Sequence, residues 1–450
     1  MPKKIICFFI ALLTAITVVM PANAFTPSGF EVKAANAVVA SYDTGEYIFN
    51  KNGDGTANIA ALNMVMSALV IAEKCEDLDA YNAEMTLGIK KQFLGTGLAV
   101  MNLKIGGKYS VRELLSLALI GTYSDAMYLA AVTVFGDVGS CIAAMNEKAA
   151  ALGMTNTVFT DVNGFDSTQY STAKEVSVMF RAACENSAIK EIMSTRKYTL
   201  SPNDYRETAT NNQKQVSFSN SCMIINPATV HYYNKIKAGK TGTTDAAGRC
   251  IVTLAEESGV RYICVLLGEP VTKEKDKNGN TVRYDFRDTK ALAGWALSSF
   301  SYRAVVQKGD IVGEAPCVLS NDTDRISAAA AGDLYATLPV TSDNSTMKFN
   351  CKYNKEKFNA PIKAGESMGT AEVLYGGEVI GTVDLVAATD VESSMMLVIK
   401  NAFGSVLGSK WFKSLLLVAA AIAAAFILTV IIINVSNKVK RSKKVHKDDY

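Results

Sequence analysis

Histidine is almost absent: the 450 residues hold two, His231 and His446. A zinc peptidase draws heavily on imidazole ligands, so that class is excluded. A Ser-His-Asp triad would rest on His231 alone, and no nucleophile-elbow motif accompanies it. No Cys-x-x-Cys pair occurs, no internal repeat is visible and no low-complexity tract interrupts the chain. No metal or cofactor is expected. Excess charge is also missing. The formal net charge is +3, and it is concentrated at the two ends. Residues after 433 carry six basic and two acidic side chains, and Lys3 and Lys4 sit near the start, so the part between has a net charge of −3. No basic face points to nucleic acid.

The ends set the compartment. Residues 1–24 read as a signal peptide: Lys3 and Lys4, an apolar core from Ile5 to Met20, and the small-x-small site Ala22-Asn23-Ala24. The core is short for a span, so cleavage after Ala24 is expected. Leu415 to Ile433 is apolar apart from Thr429, long enough as a helix to cross a hydrocarbon core of roughly 30 Å. Trp411 flanks it on one side; Lys438, Lys440, Arg441, Lys443, Lys444 and Lys447 flank it on the other. Basic residues collect on the cytoplasmic side, so the tail is expected inside and the bulk of the chain outside.

Eight cysteines remain once Cys7 leaves with the leader. They permit disulfides without specifying a pairing. Cys250 and Cys264 lie on either side of a turn at Glu257-Ser258-Gly259; they could be cross-strand neighbours or buried free thiols.

The pattern predicts a hairpin over residues 38–49, turning at Thr44-Gly45, then a largely buried helix from Asn58 to Lys74. One or two helices are expected over 111–135, another over 139–152 capped by Gly153, and helix again over 171–200. Strands follow at 251–254 and 262–267, and a helix at 289–300. The fold class is α+β: an antiparallel sheet covered by helices. Turn signals between short apolar runs over 304–400 read as a small all-β domain. The expected organisation is a leader 1–24, a domain 25–303, a β domain 304–400, a linker 401–413, a transmembrane helix 414–434 and a basic tail 435–450.

The sharpest motif is Lys237-Ala238-Gly239-Lys240-Thr241-Gly242-Thr243-Thr244-Asp245. Lys-Thr-Gly on a strand is one signature of the penicillin-interacting serine enzymes. The lysine supplies positive charge, the threonine hydroxyls bond a substrate carboxylate, and the glycine lets the substrate backbone approach. From here the chain resembles the D-alanyl-D-alanine carboxypeptidases, the low-molecular-mass penicillin-binding proteins. The opening hairpin is similar to the family's start. Ala151 to Phe159 resembles its LGM-x-NT-x-F segment, and Asn163-Gly164-Phe165 with Tyr170-Ser171-Thr172-Ala173 resembles its G-L/F…YSTA. Residues 304–393 resemble its C-terminal β domain, notably Ala360 to Glu366. The resemblance implies a bacterial cell membrane location, a peptidoglycan stem peptide or wall-synthesis proteins as partners, and substrate contacts at Lys240, Thr241, Gly242 and Thr243. Arg261 resembles a family arginine that helps hold the substrate carboxylate; a solvated strand-end charge is the alternative.

Two family signatures are degenerate. The Ser-x-x-Lys helix start falls on Ile59-Ala60-Ala61-Leu62-Asn63-Met64, placing Ala61 at the nucleophile position and Met64 at the base. A methyl group is no nucleophile, and a thioether takes no proton. Ser-x-Asn falls on Thr122-Tyr123-Ser124. Thr122 keeps a hydroxyl; Ser124 is a poor substitute for the amide. Ser-x-x-Lys spacings at Ser171/Lys174, Ser187/Lys190 and Ser194/Lys197, and Ser-x-Asn spacings at Ser201 and Ser342, read as chance matches, and Ser67 as a buried helix hydroxyl. The expectation is a degenerate pseudoenzyme that binds wall peptide or a wall-enzyme partner. The alternatives are an active carboxypeptidase with a displaced nucleophile, and a structural wall-facing protein.

Overall fold

The computed structural model describes residues 30–80, 82–200 and 216–445. The leader expected at 1–24, Ser201 and His446 lie outside the described residues.

The chain divides into two compact units. The first runs through Arg303 and takes in Tyr335–Thr346 and Glu378–Ile380. Its centre is a five-stranded antiparallel sheet. The strands are β1 (Asn36–Ser41), β2 (Tyr47–Lys51), β3 (Ile236–Thr244), β4 (Gly248–Glu257) and β5 (Val260–Glu269), in the order β2-β1-β5-β4-β3. Strand β5 reads as a continuous apolar run because both of its faces are buried. Ile263, Val265 and Leu267 pack into one core and Tyr262, Cys264 and Leu266 into another.

The first core is built by helices α1 (Met64–Lys74), α2 (Val111–Gly121), α3 (Ser124–Phe135), α4 (Val138–Ala151), α5 (Ala173–Glu185) and α6 (Ser187–Ser194). The second lies beneath α7 (Tyr284–Ser299), through Phe286, Leu292, Ala293 and Ala296. The result is a sheet between two helical layers.

Local chemistry sets the breaks that matter for the site. Helix α2 starts at a capping box, Ser110 with Glu113, and ends with Thr122 in the left-handed region at φ 61°, ψ 40°. That break divides the 111–135 segment in two and presents the Thr122 loop at a helix junction. The Asn58–Lys74 segment opens as a 3-10 turn, Ala60–Asn63, before α1 begins. The helix expected over 171–200 is interrupted: Asn186 caps α6, and Lys197–Leu200 pairs as a strand with Val216–Ser219. Alternation in Lys-Tyr-Thr-Leu and a distant partner outweigh the helical propensity upstream.

The eight described cysteines are all free thiols. Cys250 pairs across the sheet with Gly242, and Cys264 with Thr253 and Val39, so Cys250 and Cys264 are not partners. They face opposite cores.

The second unit is all-β at its centre. Strands β6 (Ile311–Val318), β7 (Arg325–Ala330), β8 (Lys348–Tyr353), β9 (Phe358–Asn359), β10 (Ser367–Tyr375) and β11 (Glu378–Ala387) form a sheet in the order β8-β10-β11-β7-β6-β9. Where a linker was expected, Met395–Gly408 forms the apolar helix α8, capped by Ser394. Helix α9 (Lys410–Val445) follows, and its stretch Lys410–Val439 is long and apolar enough to cross a membrane.

Candidate functional site

Three segments of the first unit converge on Ala61. It lies in the 3-10 turn after Ala60, whose φ is +48°, an uncommon conformation for a residue with a side chain. The Asn58 side chain holds the turn by accepting from the Ala60 amide at 2.9 Å. Strand β3 lies against it so closely that a Cβ on Gly242 would sit 2.6 Å from the Ala61 nitrogen. The loop at 161–166 closes the third side: a Cβ on Gly164 would sit 2.0 Å from the Ala60 carbonyl oxygen.

That loop is pinned by one carboxylate. Asp161 accepts from the amides of Asn163, Gly164, Phe165 and Asp166 at 2.7–3.2 Å. The buried Asn63 amide donates to Asp161 Oδ1 at 2.7 Å and to Gln169 Oε1 at 2.9 Å. Asn63 therefore ties the turn carrying Ala61 to the loop that covers it. Asn63 and Asp161 escaped sequence reasoning, although Asp161 with Asn163-Gly164 two and three residues on carries the spacing of an Asx turn.

The second cluster is polar. Lys240, on β3, is 0 % exposed. Its Nζ donates to Thr122 Oγ1 at 2.6 Å and to the Thr241 carbonyl at 2.9 Å. Thr122 Oγ1 shares a hydrogen bond with Ser221 Oγ at 3.1 Å, and Thr241 Oγ1 donates to Ser221 Oγ, also at 3.1 Å. Burial pushes the Lys240 ammonium down to about 7; the Cys222 thiol acts weakly in the other sense. Ser221 joins two motifs from a third segment, and no local pattern announces it.

The expected site residues thus separate. Lys240, Thr241 and Thr122 are brought together, with Gly242 packed on the turn that holds Ala61. Thr243 pairs with Arg249 on the neighbouring strand. Met64 is buried at the start of α1. Ser124 is buried at the start of α3, and none of the bonds linking Lys240, Thr122, Ser221 and Thr241 reaches it.

Arg261 is not part of this site. Its guanidinium pairs with Asp43 and stacks on the Tyr42 ring at 4.3 Å, anchoring the hairpin turn. Lys240 is level with Val252 and, across β4, with Val265, whereas Arg261 lies four residues further along β5. Its carboxylate partner, Asp43, is supplied from within the fold. The arginine beside the Lys-Thr-Gly strand is Arg249. It lies 3.9 Å from Asp285, which also pairs with Arg283 at 2.6 Å.

The chance motifs resolve as ordinary structure. Ser67 donates to the Val162 carbonyl at 3.0 Å. Ser171 bonds Thr157 at 2.7 Å, while Lys174 pairs with Asp54 at 2.7 Å. Ser194 donates to the Lys190 carbonyl at 2.7 Å, and Ser342 accepts from Arg303 at 2.6 Å. His231 packs on Phe286 with ring centres 4.9 Å apart, and burial and Arg283 hold its imidazole below the usual value.

The D-alanyl-D-alanine carboxypeptidase profile matches residues 22–271. The chain belongs to this family. A second profile, the C-terminal domain of penicillin-binding protein 5, matches residues 300–393. The chain is therefore a low-molecular-mass penicillin-binding protein by family, and the family acts on peptidoglycan stem peptides. It is 24% identical over 365 residues to the D-alanyl-D-alanine carboxypeptidase DacF of Bacillus subtilis, covering 80% of this chain and 87% of that one. It is 26% identical over 367 residues to DacC of Escherichia coli, covering 80% and 85%. The fold matches the DacD carboxypeptidase of Francisella tularensis with a TM-score of 0.63 at 22% identity, over 84% of this chain and 98% of the other. Penicillin binding protein 5 of Haemophilus influenzae matches with a TM-score of 0.59 at 20% identity, over 82% and 100%.

Proposed function

We propose that this family member binds D-Ala-D-Ala-terminated stem peptide without turning it over. The observation that carries the reading is the contrast at one site. Gly242 and Gly164 close on the turn that carries Ala61, whose methyl group holds the position the family resemblance gives to the nucleophile. Beside it, the Lys240, Thr122, Ser221 and Thr241 network is fully connected. An ammonium with hydroxyl neighbours on a strand edge suits a peptide carboxylate. With alanine at position 61 and methionine at 64, the family's acyl transfer has neither its nucleophile nor its base. The chain is anchored by the span within Lys410–Val439, with the peptide-binding unit outside and the basic tail inside. The peptide-binding domain covers 25–303, the β domain 304–400, and the span 414–434.

Equilibrium binding of N,N-diacetyl-L-Lys-D-Ala-D-Ala to the full chain in detergent tests this. Saturable binding with the peptide recovered intact is expected, and it is lost in Lys240→Met. Release of D-alanine by the wild type would contradict it. One observation favours a second reading, an active enzyme with a displaced nucleophile: Thr122 Oγ1 is 2.6 Å from Lys240 Nζ. D-alanine release abolished by Thr122→Val would establish that reading instead.

A further inference from the structure

We infer that an anionic peptide terminus binds at this site together with a proton, which Lys240 takes up, so that affinity falls as the surroundings turn alkaline. The inference rests on the peptide-binding reading above and adds its regulation.

The geometry carries it. Lys240 is completely buried, and no carboxylate lies within ion-pair distance of its Nζ among the described residues. Its two acceptors, the Thr122 hydroxyl and the Thr241 carbonyl, serve a group that has three N–H donors when charged. A buried ammonium in that state lacks both a counter-charge and a third acceptor, which favours the neutral amine. An arriving carboxylate supplies both. The charged form then gains an ion pair, and the lysine recovers a proton from solvent.

The groups around Lys240 do not pre-empt this role. Behind β3 lies the neutral Cys222 thiol, held up at about 12 by burial. On β4 the nearest charge by register is Arg249, a cation 3.9 Å from an Asp285 carboxylate that Arg283 holds through both oxygens, and Glu256 and Glu257 lie at the far end of the strand. The 3-10 turn Ala60–Asn63 carries no charge. On α3, Asp125 accepts from the Met101 and Leu103 amides. On α6, Lys190 and Glu191 belong to a helix whose buried residues are Ile189, Ile192 and Met193. Lys237 donates to the Asn234 carbonyl at the start of β3, and Asp245 follows its end. His231, whose imidazole burial and Arg283 hold below its usual value, packs on Phe286 beside α7.

The sign follows. Burial holds the free Lys240 at about 7, and a bound carboxylate raises it. Below that value the lysine is already charged and binding takes up no proton. Above it, each binding event takes up close to one, and the affinity weakens by about 10-fold between about pH 6 and about pH 8.

Calorimetry of the full chain in detergent micelles reads this directly. The probe is N,N-diacetyl-L-Lys-D-Ala-D-Ala, titrated at about pH 6 and about pH 8 in two buffers of different ionisation enthalpy. Proton uptake near one at the higher pH and near zero at the lower, with the 10-fold loss of affinity, is the expected result. The C-terminal amide of the same peptide takes up none. Binding with equal affinity and no uptake at both pH values overturns the linkage while leaving peptide binding intact. No binding at either pH overturns the peptide-binding reading, and the linkage with it.

Discussion

The two halves of the site contrast in what they cost the fold. Around Ala61 and Met64 the turn is buried and uncharged, and its one polar side chain, Asn63, donates to Asp161 and Gln169. Around Lys240 an amine sits at 0 % exposure against one hydroxyl and one carbonyl acceptor, with no acid to balance it among the described residues. Replacing a serine and a lysine by alanine and methionine removes buried polar groups and favours packing. Keeping Lys240 does the opposite. A destabilising group kept in this position fits the proposed peptide-binding role.

Lys240→Met sharpens that contrast most. The variant should be more stable than the wild type near neutral pH, by up to about 4 kcal/mol, while losing peptide affinity. The sign comes from linkage. The folded-state value of Lys240 lies below its unfolded value, so the penalty is complete below about 7 and disappears as pH rises towards the ordinary lysine range. The gain in melting temperature should therefore shrink between pH 7 and pH 10, and a constant or negative difference would break the comparison.

Gly242→Ala attacks the seam between the halves. A methyl 2.6 Å from the Ala61 nitrogen must push strand and turn apart. Denaturant unfolding should report a loss of roughly 1–3 kcal/mol, and peptide binding should weaken with it. Asn63→Ala acts on the apolar side alone. It removes the bonds to Asp161 and Gln169 and frees the covering loop. A loss of about 1–2 kcal/mol is expected, with the Lys240 proton linkage unchanged. Loss of that linkage would mean that the two halves are one unit.

Legibility followed the range of the contacts. The hairpin, the β4/β5 pair and the helix ends were readable because turn glycines and caps are local signals. Gly259 and Gly153, for example, both adopt the positive φ their turns require. The Lys-Thr-Gly motif was readable from its own spacing, and Ala61 and Met64 at the serine and lysine positions from the family resemblance. Ser221 was not, because its hydroxyl meets Thr122 across 99 residues of sequence. The place of Arg261 was left open for the same reason: its partner Asp43 lies 218 residues away. The strand at 197–200 depends on Val216–Ser219, which sequence periodicity cannot see.

The central claim is that the acyl-forming half is lost and the recognition half is not. Intact mass of the full chain after incubation with excess benzylpenicillin tests it most directly, with Ala61→Ser/Met64→Lys alongside. The account predicts an unmodified wild type and a covalent adduct on the double variant, carried by the new serine. A stoichiometric adduct on the wild type would contradict it and, once mapped, would identify the nucleophile.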